Sequence, residues 1–208
     1  MTYEIRQLDH TLDQRAFELV TEVFVEASTL HRALKADLGE YREFLRPSFK
    51  AMVSEGLSVA AVHKSSNKLA GCMIVTDFHN QSTQTLNSHP IFAPMSALTA
   101  ELCRQYSQKR LTRAGQAILV DMGAVSMDAR NAGVYQKMRS VVQKTAAKRG
   151  FQSVIGELSS IATQNVVLQK LGHRKMAEVD FETFEFKGRY PFQKIEEPPS
   201  IILAEGDL

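Results

Sequence analysis

The sequence predicts an α/β domain in which helices pack on a central sheet. Its 208 residues are enough to bury one sizeable hydrophobic core. Apolar residues alternate along the chain between short β-branched runs, typical of strands, and longer stretches with helical spacing. The run AILVDMGAV at 117–125 is apolar over most of its length, which is typical of a strand buried on both faces. The domain is therefore expected to be built around this strand.

The first part of the chain predicts one strand and two helices. Residues 3–9 have the pattern of a short strand. A helix is expected next, because five apolar residues recur at intervals of three and four: Ala16, Val20, Val23, Ala27 and Leu30. A second helix is expected over 39–55. Pro47 is expected to split it, since proline lacks an N–H donor and clashes with the preceding turn.

The middle of the chain predicts a hairpin and then alternating helices and strands. The runs LSVAAVHK and KLAGCMIVTDF flank the turn residues SSNK, which indicates two antiparallel strands. Further elements are expected in this order: a helix at 91–110, the strand at 117–125, a helix at 132–149, a strand at 153–158 and a helix at 161–171.

The C-terminal part predicts two more strands and a tail. The segments RKMAEVDF at 174–181 and FETFEFKG at 181–188 have strand patterns. From Glu196 onward the two prolines, Pro198 and Pro199, indicate an extended appendage. We therefore expect one domain over 1–195 and an extended C-terminal tail over 196–208.

Composition argues against a large electrostatic partner. Charged residues make up 23% of the chain and its net charge is +2, so nucleic acid and membrane surfaces are not expected partners. No apolar run approaches the roughly 20 residues of a spanning helix, and Cys72 and Cys103 lack disulfide or metal spacing. A soluble, cytoplasmic protein is the default expectation. The six histidines are scattered, so no metal site is expected.

The most informative stretch is the turn between the central strand and the following helix, with the sequence RNAG. A strand that enters a helix through glycine exposes unpaired amides at the positive end of the helix dipole, where an anion can bind. Arg130 can add a charge-assisted contact, and Gly133 lets a ligand approach without meeting a Cβ. Asn131 and Ala132 are small enough not to block it. The alternative is that Asn131 only caps the helix and Gly133 only eases packing.

The order of elements and three motifs resemble the GNAT superfamily of acyl-CoA-dependent N-acetyltransferases. RNAGVY at 130–135 is similar to the family's pyrophosphate loop, Arg/Gln-x-x-Gly-x-Gly/Ala, and VVLQKLGH at 166–173 is similar to its helix-to-strand signature. With VDFETFEFKGRYPFQKIEEPPS at 179–200, the sequence is most similar to the arylalkylamine (dopamine) N-acetyltransferase-like branch. The resemblance implies a mixed, mostly antiparallel sheet that is splayed at its centre and flanked by helices on both faces.

The resemblance also implies a reaction and a cofactor site. Acetyl-CoA would be the cosubstrate, bound between the strands at 117–125 and 153–158, and a small primary amine such as an arylalkylamine would attack its thioester directly. No metal is required. The residues implied in cofactor binding are Gly123 and Val125 on the strand, Arg130, Asn131, Ala132, Gly133, Val134 and Tyr135 in the loop, and Asn165, which could equally face solvent.

Three departures from the family pattern bear on catalysis. Tyr135 replaces the last small residue of the loop, so its ring either reshapes the phosphate cradle or points into the core. Leu168 replaces a tyrosine that serves many members as the acid, and leucine cannot donate a proton. The functional glutamate of the branch has no secure counterpart, which leaves Ser28 and the nearby Glu26 as candidates. The alternative to an enzyme is a non-catalytic acyl-CoA-binding or regulatory module.

Acetyl transfer needs a base, an oxyanion donor and an acid. Asp121 is the main base candidate, because a carboxylate inside an apolar strand is expected to have a raised pKa. A structural pairing with a basic neighbour is the alternative. A backbone N–H near Met122 or Gly123 is the expected oxyanion donor, since glycine permits a strand bulge. Thr163 is the candidate acid, whereas Ser160 is expected to cap the following helix.

The amine is expected to enter between the first two helices, the 77–95 loop and the C-terminal strands. Phe24, Phe78 and Phe92 would supply an aromatic wall there. The sequence leaves three points open: which amine is used, how long the acyl chain is and whether the chain forms a homodimer.

Overall fold

The computed structural model describes residues 2–81 and 89–208. Within them, seven strands form one sheet in the order β1-β2-β3-β4-β5-β7-β6. The strands are β1 Tyr3–Gln7, β2 Val59–His63, β3 Leu69–Asp77, β4 Ala117–Val125, β5 Ser153–Leu158, β6 Arg174–Asp180 and β7 Ser200–Asp207. The helices are α1 Asp13–Ala27, α2 Thr29–Leu34, α3 Leu38–Ser54, α4 Phe78–Gln81, α5 Ala93–Lys109, α6 Val134–Lys148 and α7 Ile161–Gln164, which continues as a π-helical turn, Asn165–Lys170. Across this described part of the chain, none of the helices combines the length and hydrophobicity needed to cross a membrane.

The sheet is antiparallel except where β4 and β5 run side by side. These two strands pair in parallel only over 117–120 on β4 and 153–156 on β5. Both strands continue beyond the last pair, β4 to Val125 and β5 to Leu158. The centre of the sheet is therefore open between the ends of β4 and β5.

Helices cover both faces of the sheet. Alternate residues of β3 illustrate this, because Cys72 and Ile74 pack in a core with α1 and α3, whereas Met73 and Val75 pack in a core with α6. α5 covers the β5-β7-β6 end on the first of these faces. The predicted arrangement, a mixed and mostly antiparallel sheet with helices on both sides, is confirmed.

Pro47 does not split the second predicted helix, since α3 runs through it without interruption. The helix begins with a capping box in which Asp37 Oδ1 accepts a hydrogen bond from Glu40 N at 2.8 Å, and Glu40 Oε2 accepts one from Asp37 N at 2.9 Å. Its inner face is buried, through Tyr41, Leu45, Phe49, Met52 and Val53. Burial of this stripe outweighs the cost of about 3 kcal/mol that an interior proline imposes.

The largest difference from the sequence prediction lies at the C-terminus. Residues 196–208, expected as an extended tail outside the domain, contain β7, which lies inside the sheet between β5 and β6. Ile201 and Leu203 face the core under α5, whereas Ile202 and Ala204 face the opposite side. A strand buried on both faces is an integral part of the core, so the boundary expected after residue 195 is wrong.

The strand expected at 181–188 does not form. The segment is irregular and contains one isolated bridge, between Phe186 and Arg189. Phe181 is fully buried and lies against the buried Phe192, with ring centroids 6.0 Å apart. The alternating aromatic residues that predicted a strand therefore anchor a loop to the core.

Candidate active site

A cavity of about 580 Å³ opens where β4 and β5 separate. Its walls come from α1, α2, α3 and α5, from the ends of β4 and β5, and from the segment 159–163. Aromatic side chains in the lining include Phe24, Tyr41 and Phe44, and two carboxylates, Asp121 and Glu157, come from the separated strands. A largely apolar pocket with a few convergent polar groups is the usual form of a small-molecule site.

Asp121 reaches the cavity at a bulge in β4. The consecutive β3 residues Ile74 and Val75 pair with Met122 and Val120, so Asp121 has no partner on β3. A bulge bends its strand and frees backbone groups from the ladder. The sequence predicted this bulge from the glycine two positions later, whereas the extra residue is the aspartate itself.

The carboxylate of Asp121 has no ion-pair partner among the described residues. Burial, together with the negative charges of Glu157 and Glu55, raises the pKa of Asp121 to about 7. Glu157 lines the same cavity and accepts a hydrogen bond from Thr99 Oγ1 at 3.0 Å. The structural pairing that the sequence left open is therefore absent within this part of the chain. A carboxyl group that titrates near neutral pH is suited to accept a proton.

Two hydroxyl residues predicted from the sequence also line the cavity. Ser28 caps α2, with its Oγ 3.5 Å from the backbone N of His31. Thr163 Oγ1 lies 2.9 Å from Ser160 Oγ, and Ser160 accepts a hydrogen bond from Thr163 N at 3.2 Å. Ser160 is thus the N-cap of α7, as expected. Ser160 and Thr163 both line the cavity.

Glu26 and Asn165, two further residues predicted from the sequence, lie outside the cavity lining. Glu26 is exposed on α1, two positions after Phe24, and two positions along a helix place side chains on nearly opposite sides. Phe24 lines the cavity, as predicted, so Glu26 faces solvent. Asn165 is exposed on the π-helical turn and does not contribute to the lining.

Two of the three residues predicted as an aromatic wall are core residues instead. Phe92 is fully buried and stacks on Phe44, with ring centroids 4.6 Å apart, behind the cavity lining. Phe78 is buried and packs edge-on against Tyr106, with centroids 5.2 Å apart. Large apolar rings are preferentially buried in the interior, and both rings are buried here rather than exposed to a ligand. The remainder of the predicted 77–95 wall includes 82–88, which lie outside the described residues.

The N-terminus of α6 has the features of an anion site. Gly133, with a left-handed φ of +69°, precedes the helix, and no side chain caps the first turn. Asn131 also has a positive φ, of +62°, so the cap that the sequence left open as its role is not formed. Arg130, Asn131 and Ala132 are exposed, whereas the Val134 side chain is buried and can offer only its backbone. A Cβ at Gly133 would meet nothing within 4 Å.

The ring of Tyr135 lies directly over Gly123. A Cβ built on Gly123 would be 2.7 Å from Tyr135 Cε2, closer than real Cβ atoms approach other atoms. The ring lines the cavity on one side and packs against the core under α6 on the other. Position 123 therefore needs a residue without a side chain, because the Tyr135 ring occupies the space that a Cβ would fill. Val125, the other predicted cofactor residue of this strand, ends β4 and is partly buried.

We expect Gly123→Ala to destabilise the protein, because the added methyl group would meet the Tyr135 ring. The expected loss of unfolding free energy is about 1–3 kcal/mol, the usual cost of overpacking, measured by urea unfolding. In a Tyr135→Ala background the same glycine substitution should cost little, because the ring is gone. An equal cost in both backgrounds would show that the ring is not the cause.

Among the lining residues that sequence reasoning missed are His31 and Tyr41. The Tyr41 hydroxyl is buried and lies 3.7 Å from Met122 Sδ. The His31 ring lies edge-on against the Tyr41 ring, with centroids 4.3 Å apart. Both residues are buried, as core residues are. The only available signal was a histidine beside Leu30, the last residue of an otherwise apolar stripe.

No protein-family model matches this sequence, and no curated protein matches it either. Solved structures nevertheless share the whole fold. The C-terminal condensation domain of Ebony, in complex with beta-alanyl-dopamine, is similar with a TM-score of 0.88 at 15% identity, over 99% of both chains. Arylalkylamine N-acetyltransferase 2 from Aedes aegypti is similar with a TM-score of 0.83 at 16% identity, over 100% of this chain and 99% of that one. A Drosophila melanogaster polyamine N-acetyltransferase that forms N-acetylagmatine has a TM-score of 0.70 at 17% identity, over 99% and 100%.

These likenesses confirm the predicted fold, which is that of the GNAT acetyltransferases. Sequence identities this low support a shared fold but not a shared activity. Their names mention different compounds, namely beta-alanyl-dopamine, arylalkylamine and N-acetylagmatine. The substrate of this chain must therefore be argued from its own cavity.

Proposed function

We propose that this chain is an N-acetyltransferase that moves the acetyl group of acetyl-CoA onto a small primary amine of the arylalkylamine class. The observation that carries this proposal is the Asp121 carboxylate in the cavity, whose pKa is raised to about 7. The fold supports it, since several solved structures with this fold are N-acetyltransferases of small amines. The amine would attack the thioester directly, without a covalent enzyme intermediate.

The cavity suits an arylalkylammonium ion. Asp121 and Glu157 supply negative charge, which attracts a protonated amine. Phe24, Tyr41 and Phe44 supply aromatic surface against which a ring can pack. A ligand with a cationic end and an aromatic body matches both features.

Asp121 would act as the general base. An alkylamine is protonated at neutral pH and must lose one proton before its lone pair can attack a carbonyl carbon. The Asp121 carboxylate would accept that proton, and burial favours the neutral acid that results. Backbone amides released from the β3–β4 ladder by the bulge would stabilise the charge that develops on the carbonyl oxygen.

Acetyl-CoA would supply the activated acyl group. The uncapped amides of α6 and the side chain of Arg130 would hold its pyrophosphate, because both favour anionic oxygen. Gly133 leaves open space for that approach. The hydroxyl of Thr163, hydrogen-bonded to Ser160, would give a proton to the departing thiolate and recover it from solvent through the cavity.

Calorimetric titration with acetyl-CoA tests the cofactor site. Arg130→Ala is expected to weaken binding roughly tenfold, because the variant loses a charge-assisted hydrogen bond. Arg15→Ala removes an exposed arginine of α1, which packs on the other face of the sheet from α6, and should bind like the wild type. Failure of the wild type to bind acetyl-CoA would overturn the proposal.

A non-catalytic acyl-CoA-binding module is the second candidate, and one observation favours it. Leu168 is partly buried against the cluster of Leu158 and Val167, so no proton donor stands at the position where the resemblance implies an acid. Binding of acetyl-CoA without acetylation of any primary amine would favour this module. Turnover of an amine would exclude it.

A further inference from the structure

The hydroxyl group of Tyr135 lies beside the bulge of β4. The edge of the ring that faces Gly123 consists of Cε2 and Cδ2, which are 2.7 Å and 3.3 Å from the position of a Cβ at that glycine. Cε2 is bonded to the ring carbon that carries the hydroxyl, so the hydroxyl adjoins the same part of the strand. Asp121, the unpaired residue of the bulge, comes two positions before Gly123. The hydroxyl therefore adjoins the stretch of β4 in which the bulge frees backbone amides.

This hydroxyl is available to a group in the cavity. Tyr135 is partly exposed and belongs to the cavity lining. Its hydroxyl makes no hydrogen bond within residues 2–81 and 89–208, yet it keeps accessible surface, unlike the enclosed polar atoms of His31 and Arg139. A phenol is neutral at physiological pH and can donate one hydrogen bond. Tyr135 thus offers an unused donor to a ligand.

Arg139 places a positive charge behind this donor. Its Nη1 and Nη2 are 3.7 Å and 3.8 Å from the position of a Cβ at Gly156, which forms the last parallel pair before β4 and β5 separate. The side chain is buried and has no ion-pair partner in the described part of the chain. Burial raises the pKa of Tyr135, and the charge of Arg139 opposes that rise. The guanidinium therefore favours negative charge at the Tyr135 oxygen and at any group bonded to its proton.

Acyl transfer creates a negative charge that such a donor can stabilise. When the amine attacks the thioester carbon, one electron pair of the carbonyl double bond moves onto the oxygen. Preorganised donors aimed at this oxygen accelerate acyl transfer. The described lining of the cavity holds two carboxylates, Asp121 and Glu157, but no lysine or arginine. Arg139, acting through Tyr135, supplies the positive charge that this lining lacks.

We propose that the Tyr135 hydroxyl donates a hydrogen bond to the carbonyl oxygen of the thioester, and that Arg139 strengthens this bond as negative charge develops on that oxygen. Tyr135 is then a catalytic residue and Arg139 a positioning residue. The assignment rests on the proposed function, which brings a thioester into the cavity. Tyr135 keeps its proton throughout. When the carbonyl re-forms, the C–S bond breaks, and the thiolate takes its proton from Thr163.

The test compares five proteins. They are the wild type, Tyr135→Phe, Arg139→Met, the variant with both substitutions, and Tyr190→Phe. Phenylalanine at position 135 removes only the hydroxyl, so the ring keeps its packing on Gly123. Tyr190 is half-exposed and lies outside the cavity lining, which makes it the matched control. Each protein is measured for acetyl-CoA affinity by calorimetry, for kcat with phenethylamine, and for the carbonyl stretching band of bound acetyl-CoA by infrared spectroscopy without amine.

The infrared band reports the hydrogen bond directly. A hydrogen bond to a carbonyl oxygen polarises the double bond and lowers its stretching frequency. The band of acetyl-CoA bound to the wild type should therefore lie at lower frequency than in Tyr135→Phe, with Arg139→Met between the two. Tyr190→Phe should give the band of the wild type. Because no amine is present, this measurement does not depend on turnover.

The kinetic effects should be large and coupled. Tyr135→Phe is expected to lower kcat by about 100-fold, the usual effect of removing one oxyanion donor. It should weaken acetyl-CoA binding by only about threefold, since the unreacted carbonyl carries little charge. Arg139→Met should lower kcat roughly tenfold when Tyr135 is present and should have little further effect in the Tyr135→Phe background.

Two results would overturn the assignment: a carbonyl band that is the same in the wild type and Tyr135→Phe, or an equal effect of Arg139→Met on kcat in both backgrounds. Loss of kcat with an unchanged band would place the hydroxyl at the departing sulfur instead. A band that depends on Tyr135 without acetylation of the amine would leave the contact standing and remove the enzyme. Acetylation with a band independent of Tyr135 would do the reverse, and a wild type that does not bind acetyl-CoA would remove both.

Discussion

Asp121→Asn is expected to lower the rate of acetyl transfer at pH 7.5 by about 100-fold or more, the usual contribution of a general base. Asparagine keeps the size and the polar contacts of the side chain, but it cannot accept the amine proton. The same variant should bind acetyl-CoA like the wild type, because Asp121 is assigned to the amine. The measurement is kcat/KM for the amine in both proteins, with Glu43→Gln, an exposed carboxylate of α3 outside the cavity lining, as the control.

The pH dependence distinguishes loss of a base from a general disturbance. Only the ionised form of Asp121 accepts a proton, so kcat/KM of the wild type should fall as pH decreases through about 7. Asp121→Asn should lack that decline. If the variant keeps the same acidic limb, another group titrates there and Asp121 is not the base.

The same pKa shift has a consequence for stability. The folded protein holds a proton on Asp121 up to pH of about 7, whereas the unfolded chain loses it near 3.8, so the wild type loses stability between these two values as pH rises. Asp121→Asn removes this loss. Relative to the wild type, the variant should become more stable by about 4 kcal/mol above pH 7, and the difference should vanish near pH 4.

The elements that form the site were predictable because their signals are local. The apolar run of β4, the glycine before α6 and the single carboxylate within β4 can each be recognised from a few neighbouring residues. The position of the bulge at Asp121 could not be predicted in the same way. It depends on how β4 pairs with Ile74 and Val75, which lie far away in the sequence.

The C-terminal strand was missed because one local signal obscured another. Pro198 and Pro199 indicate a chain that leaves a domain, but the following residues, Ile201 to Ala204, form a short apolar run of the kind found in buried strands. The position of β7 between β5 and β6 depends on contacts with residues far away in the sequence. A short stretch of sequence around β7 therefore does not reveal it. The strand forms there because both of its faces are covered.

Arg139 is a basic residue on the buried face of α6, where it is 1% exposed. It lies three positions before Val142 and seven before Ala146, both buried, and this spacing places it on the inner face. Its Nη1 is 3.7 Å from the point where a Cβ at Gly156 would lie, so the guanidinium packs against β5.

Arg139→Met is expected to make the protein more stable. Nε and Nη2 of Arg139 have no hydrogen-bond partner, and no carboxylate pairs with the side chain, over residues 2–81 and 89–208. Burial lowers the pKa of Arg139, because the surroundings disfavour its charge. Methionine fills a similar volume without charge, so we expect a gain of about 2–3 kcal/mol in unfolding free energy and a rise in Tm of roughly 6–10 °C.

The prediction is tested by urea unfolding and thermal melting of Arg139→Met and of a control variant. Lys144→Met removes an exposed charge from the same helix and should change the unfolding free energy by less than about 0.5 kcal/mol. A less stable Arg139→Met would mean that an acceptor holds the guanidinium, which would then help to fix α6 on β5. A more stable variant would mean that the fold retains a buried charge at a cost in stability, a cost that proteins bear chiefly where a group serves function.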